Sequence, residues 1–141
     1  MTSLMNKPTV VLADDHGRIL TEVMMLLADK FDVTATVDDG AKAVRAVAHL
    51  KPDVVILDIG MPGTDGIQAA HRIKDLGLSP KLVFLTVQQD DDCLEAASAM
   101  GASYVLKARM YSDLLTAIEE ALAGRAFFST PLHSHRPAKP I

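Results

Sequence analysis

The sequence predicts an α/β domain: a five-stranded parallel sheet with five helices packed on both faces. Three observations lead there. Five short β-rich runs alternate with five longer segments of helical period, and that alternation requires crossovers that return each strand parallel to the last. The cores of the first, third and fourth runs, VVLA, VVIL and LVFL, are continuously apolar, as strands covered on both sides are. A length of 141 residues suits one domain with a full core and no staples.

The first strand is read at Thr9–Asp14. The helix after it carries Ile19, Leu20, Val23, Leu26 and Leu27 on one face. FDVTATV is a second strand, polar enough for a sheet edge. AKAVRAVAHL is helical, with Val44, Val47 and Leu50 on one stripe. DVVIL is the third strand, and GIQAAHRIKDLG a helix closed by Gly77. KLVFLT is the fourth strand, followed by a helix ending at Gly101. SYVLK is the fifth. The last helix places Tyr111, Leu114, Leu115, Ile118 and Leu122 on one side and ends at Gly124. The stretch after it is rich in Pro and His without a period, and reads as a short turn and then a flexible tail.

Composition excludes several classes. A net charge of -4 is the wrong sign for a free-standing nucleic-acid binder. The lone Cys93 rules out an internal disulfide and fits a reducing compartment. The N-terminus lacks the pattern of a signal peptide, and no apolar run approaches the roughly 18 residues of a membrane span. The expectation is a cytoplasmic protein with no membrane contact.

In a sheet of this kind functional groups gather beyond the carboxyl ends of the strands. Asp14 and Asp15 end the first strand, Asp58 the third, Thr86 the fourth and Lys107 the fifth. Three crowded carboxylates need a cation beside them, and hard oxygen donors of that charge suit Mg2+. A carboxylate held beside Mg2+ and a lysine is a competent nucleophile toward phosphorus. The cations would neutralise the transferring oxygens, and Thr86 can donate to one of them. Singly, each residue has a plainer reading: Asp15 as a helix cap, Asp65 as a turn or cap residue, Lys107 as a solvated lysine, Thr86 as a strand end. Their joint arrival at one edge favours chemistry. Met24, on the shoulder of the first helix's apolar stripe, reads as core fringe or as an exposed docking residue, and Met25, nearly opposite the stripe, as an exposed docking residue. Cys93 reads as a packed small residue, His16 as pocket-lining or solvent-facing, and His133 and His135 as tail residues.

The motifs LADDH (Leu12–His16), VVILDIGMPGTDG (Val54–Gly66), VFLT (Val83–Thr86) and GASYVLK (Gly101–Lys107) resemble the receiver domain of bacterial two-component response regulators. DDH and the ending GRAFFS resemble receivers of the NarL/LuxR type. The resemblance covers residues 7–128 and leaves 129–141 as a flexible tail or the start of an interdomain linker. It implies the flavodoxin-like strand order 2-1-3-4-5. It makes Asp58 the phosphoacceptor, supplied by a sensor histidine kinase. Mg2+ would be held by Asp14, Asp15, Asp58 and the backbone carbonyl of Gly60. Thr86 and Lys107 would contact the phosphoryl group. Tyr104 would be the switch aromatic, moving inward when Thr86 is drawn to phosphate. The resemblance allows a homodimer on phosphorylation, and it leaves open a stand-alone receiver or the receiver part of a transcription factor. Gly17, Ala108, Met110 and Tyr111 depart from the common pattern.

Two other functions compete. An aspartyl-nucleophile phosphatase or phosphotransferase uses a similar sheet, but its second acid usually stands two residues after the nucleophile, where this chain has Gly60. A flavin-mononucleotide module needs a phosphate loop after the first strand, and ADDHGR would repel phosphate.

Overall fold

Val10 to Ala13 have no exposed surface, because both faces of the sheet they belong to are covered. The computed structural model describes residues 7–87 and 89–130. Strands β1 (Thr9–Ala13), β2 (Asp32–Val37), β3 (Val54–Asp58), β4 (Lys81–Thr86) and β5 (Ser103–Leu106) alternate with helices α1 (Gly17–Leu27), α2 (Gly40–Leu50), α3 (Gly66–Asp75), α4 (Asp91–Ala99) and α5 (Met110–Leu122). The strands lie parallel in the order β2-β1-β3-β4-β5, the flavodoxin-like order. β2 is an edge strand with no fully buried residue, as its polar sequence anticipates.

Alternation along the strands sorts the core into two layers. Val11, Ala13, Val55, Leu57, Phe84 and Tyr104 pack against Ala43, Val47, Ala69, Ile73 and Ala97 of α2, α3 and α4. Val10, Leu12, Ile56, Leu85 and Val105 pack against Val23, Leu27, Leu114, Ala117 and Ile118 of α1 and α5.

Some sequence expectations need correction. Asp14 lies just past the end of β1, whereas Asp58 ends β3 as expected. β5 stops at Leu106, and Lys107–Arg109 form a 3-10 turn that runs into α5 at Met110. That turn sets the phase of α5. Met110 is 2% exposed, whereas Tyr111 is 66% exposed and Leu122 is 37% exposed. Leu50 also points outward, because α2 meets the sheet with the smaller Ala43 and Val47. All described peptide bonds are trans, including the one before Ala108.

The loop after β3 is fixed by its glycine and its cap. Asp65 caps α3 in a capping box with Gln68, so it is the turn and cap residue the sequence suggested. Gly66 opens that helix against the backbone of Asp58. A Cβ on Gly66 would meet the Asp58 carbonyl oxygen and lie 2.9 Å from its carbon. Gly66→Ala is therefore expected to cost about 1–3 kcal/mol through overpacking. Thermal melts check this; an unchanged midpoint would show that the loop yields freely.

Candidate functional site: an acid pocket at the carboxyl edge of the sheet

Strand register brings the predicted residues to one edge. Ala13 pairs with Leu57, so Asp14 follows β1 where Asp58 ends β3. Thr86 pairs with Leu106, so β4 ends immediately before Lys107. Alternation then divides the set. Asp14, Asp58 and Lys107 continue the rows of Leu12, Ile56 and Val105 on the α1–α5 side. Thr86 and Tyr104 continue the row of Phe84 on the α2–α4 side.

The ammonium of Lys107 stands 2.9 Å from Asp14 Oδ2 and 3.4 Å from Asp58 Oδ2. Its side chain is only 10% exposed, which removes the reading of a solvated lysine. The Gly60 amide donates to Asp58 Oδ1 at 3.1 Å, and the His16 amide to Asp14 Oδ1 at 2.8 Å. Burial, then the negative charge of Asp14, push the Asp58 carboxyl above its ordinary value; the Gly60 amide and Lys107 pull the other way. Asp15 does not cap α1. The N-cap is His16, with no side-chain cap bond, and the Asp15 carboxylate instead lies 3.3 Å from His16 Nδ1. His16 both lines the pocket and faces solvent: Nδ1 is 3.1 Å from Asp14 Oδ1, and its side chain is 59% exposed.

Asp14 Oδ2 and Asp58 Oδ2 are buried without a hydrogen bond; Lys107 reaches both at ion-pair distance but outside hydrogen-bond geometry. One ammonium is thus shared by two of the pocket's three acids, and the third, Asp15, pairs with His16. Oxygen donors of that number and charge, two of them buried and not hydrogen-bonded, fit a hard divalent cation. Surface depressions at the opposite, amino-terminal edge, lined by Leu78, Pro80 and Lys81, hold none of these residues.

Tyr104 departs from the expected resting position. It is 1% exposed, packed in the α2–α4 layer, and its hydroxyl accepts from the Asp90 amide at 3.3 Å. The ring is already inward. Thr86 is buried at the end of β4. Cys93 packs partly buried against the core, and burial followed by the charge of Asp90 raises its thiol, against a reactive thiolate. Met25 is exposed and Met24 partly so. His133 and His135 lie outside the described residues.

A further cluster has no signature in the sequence. Phe127–Ser129 runs parallel along the outer edge of β5. The Tyr104 amide donates to Phe127 O at 2.8 Å, and the Ser129 amide to Tyr104 O at 2.9 Å. Ser129 Oγ accepts from the Leu106 amide at 3.2 Å and donates to Asp113 Oδ2 at 2.7 Å. Arg109 Nε donates to the same carboxylate at 3.1 Å. The ordered chain therefore continues past Phe128, because Ser129 has buried partners on both β5 and α5. Burial raises the Asp113 carboxyl, but the bonds from Ser129, Ser112 and Arg109 outweigh it and hold it below its ordinary value. A depressed folded-state value means stability that is present above the ordinary carboxylate range and lost as pH falls through the folded value. Ser129→Ala is expected to cost about 1–3 kcal/mol at neutral pH, and less as pH falls through the depressed folded value of Asp113. Denaturant melts over a descending pH series check it; a cost that does not shrink on acidification would deny Asp113 its part.

This architecture, with its acids and distal lysine at the carboxyl edge, defines a class of parallel-sheet domains built around an acidic pocket. Residues 10–119 match the family model described as the response regulator receiver domain. The nitrate/nitrite response regulator protein NarL of Escherichia coli K12 is 31% identical over 127 residues, 88% of this chain and 59% of that protein. The oxygen regulatory protein NreC of Staphylococcus aureus is 34% identical over 127 residues, 87% of this chain and 58% of that protein. A crystal structure of a LuxR-family two-component response regulator from Aurantimonas is 30% identical, with a TM-score of 0.80, covering 86% of this chain and 89% of that one. The chain belongs to the response regulator receiver family and is a receiver of the NarL/LuxR type. It spans about three-fifths of the length of the curated relatives it matches.

Proposed function

We propose that residues 7–128, with Ser129 docked on them, are a phosphorylation-controlled switch whose acceptor is Asp58. The observation that carries this reading is the pairing of Lys107 with both Asp14 and Asp58 in a buried pocket at the strand ends. A sensor histidine kinase supplies the phosphoryl group. An Asp58 carboxylate oxygen attacks phosphorus, the P–N bond of the phosphohistidine breaks, and the imidazole leaves with the bond's electron pair and takes up a proton. Lys107 neutralises the phosphoryl oxygens as charge moves onto them, and Thr86 donates a hydrogen bond to one. Mg2+, held by Asp14, Asp15, Asp58 and the Gly60 carbonyl, would supply further charge neutralisation for the same oxygens.

The protein acts as a switch rather than a turnover enzyme, since Gly60 stands where phosphatases of this chemistry carry their general acid. Phosphorylation holds the inward Tyr104 and the surface of α4, β5 and α5 in one arrangement, because phosphate binds that state better. A homodimer on phosphorylation, cytoplasmic location and control of an output, as a stand-alone receiver or as the receiver part of a transcription factor, complete the proposal. Direct DNA contact by this acidic domain forms no part of it; among its described residues, no helix is long and apolar enough to cross a membrane.

The test is beryllofluoride with millimolar Mg2+, followed by NMR. Amide shifts at Asp58, Thr86 and Tyr104, absent in Asp15→Asn, are expected. Shifts at Asp58 alone would leave the acceptor and remove the switch.

A further inference from the structure

We infer that Ser129 is a positioning residue for the reaction at Asp58: its hydroxyl fixes the turn that carries Lys107, and so sets how well the ammonium meets the transferring phosphoryl group. The inference rests on the acceptor reading given above and adds to it a control exerted by the segment after α5.

Lys107 stands between two fastened points. Before it, Leu106 ends β5 on the outer edge of the sheet. Tyr104, two residues earlier, turns its amide and carbonyl to that edge and bonds Phe127 and Ser129 there. The Leu106 amide faces the same way, because bonding direction alternates along a strand. Its partner is the Ser129 hydroxyl, at 3.2 Å. Leu106 is buried, so loss of that hydroxyl would leave an orphan donor one residue ahead of Lys107.

After it, the 3-10 turn closes with the Met110 amide donating to the Lys107 carbonyl. Arg109, the last residue of that turn, is tied to α5. Its Nε donates to Asp113 Oδ2 at 3.1 Å, and Ser112 Oγ donates to its carbonyl at 3.1 Å. Ser129 Oγ donates to the same Asp113 Oδ2 at 2.7 Å. One hydroxyl therefore joins the residue before Lys107 to the carboxylate that holds the residue two places after it. Lys107 needs such a frame: its long, nearly buried side chain holds its ammonium 2.9 Å from Asp14 and 3.4 Å from Asp58. A misplacement of about 1 Å at a reacting centre costs up to about 100-fold in rate. The other reading of the same bonds is an edge seal, which stabilises the fold and leaves Lys107 indifferent to it.

Phosphorylation kinetics separate the two. Acetyl phosphate is titrated into the full chain in Mg2+, below the melting range of every variant, and adduct formation is followed by intact-mass spectrometry. Ser129→Thr keeps the hydroxyl, and Ser129→Val has nearly the shape of Thr without it. The limiting rate is expected to fall about tenfold in Ser129→Val and to stay within about threefold in Ser129→Thr. Half-saturation should move less than about twofold, because the lysine acts on charge that develops during transfer. Ile73→Val, a core deletion in α3 beside the opposite edge of the sheet, should lower the Tm and leave the rate alone. In a Lys107→Met background Ser129→Val should slow uptake less than about twofold further, since the residue through which it acts is gone. Equal rates in the Thr and Val variants, an equal loss in Ile73→Val, or the full tenfold loss without Lys107 overturns the inference and leaves the acceptor reading standing. No adduct on the wild-type protein overturns the acceptor reading, and the inference with it.

Discussion

Asp58→Asn is expected to take up no phosphoryl group from acetyl phosphate and to melt at a higher temperature than the wild type. The two effects have one cause. Asp58 is a buried carboxylate beside Asp14, and burial and repulsion both oppose its ionised form. An amide of the same shape keeps the packing, removes one negative charge and leaves Lys107 paired with Asp14 at 2.9 Å. Relief of this kind is worth about 1–2 kcal/mol, a gain of about 3–8 °C for a domain of this size. A folded-state value above the ordinary one means that ionised Asp58 opposes folding at neutral pH. That opposition fades as pH falls through the folded value. The gain from Asp58→Asn should therefore shrink on acidification. Intact-mass spectrometry and thermal melts over a pH series check both parts. A variant that still gains the adduct would place the acceptor elsewhere.

Lys107→Met should have the largest opposite effect on stability. It leaves Asp14 and Asp58 buried side by side without their ammonium, and stranding buried charge costs more than an intact pair contributes. The expected loss is about 2–4 kcal/mol, a fall of about 6–15 °C in Tm. Millimolar Mg2+ should restore part of that loss, because a bound cation neutralises the same carboxylates. Phosphoryl uptake should slow by about 100-fold or more, the usual consequence of losing a fixed positive charge at the transferring group. An unchanged Tm would make Lys107 a solvated side chain after all.

The acids and the lysine were legible because strands have a period of two and end together. Once five parallel strands are read, the residues at their carboxyl ends must be neighbours, whatever the details of packing. The failures have equally local causes. Tyr111 and Met110 both suit an apolar stripe with Leu114 and Ile118; only the 3-10 turn at Lys107–Arg109 decides which of them faces the sheet. Asp15 looks like a cap because it stands just ahead of a helix, but it is two residues before Gly17 and the cap position is taken by His16. Tyr104 was expected outward, but its rotamer depends on space between Phe84 and α4 and on a hydroxyl partner at Asp90, all tertiary facts. The bond from Ser129 to Asp113 joins residues 16 positions apart across a helix, and no periodicity announces it.

The central claim is that the acid at the end of β3 takes the phosphoryl group. Wild-type protein is phosphorylated in Mg2+, the acyl phosphate is reduced with borohydride to the corresponding alcohol, and the peptides are sequenced by mass spectrometry. The account predicts homoserine at position 58 in the treated sample, with aspartate retained at 14 and 15. Modification at another acid, or an adduct that resists borohydride, would contradict it.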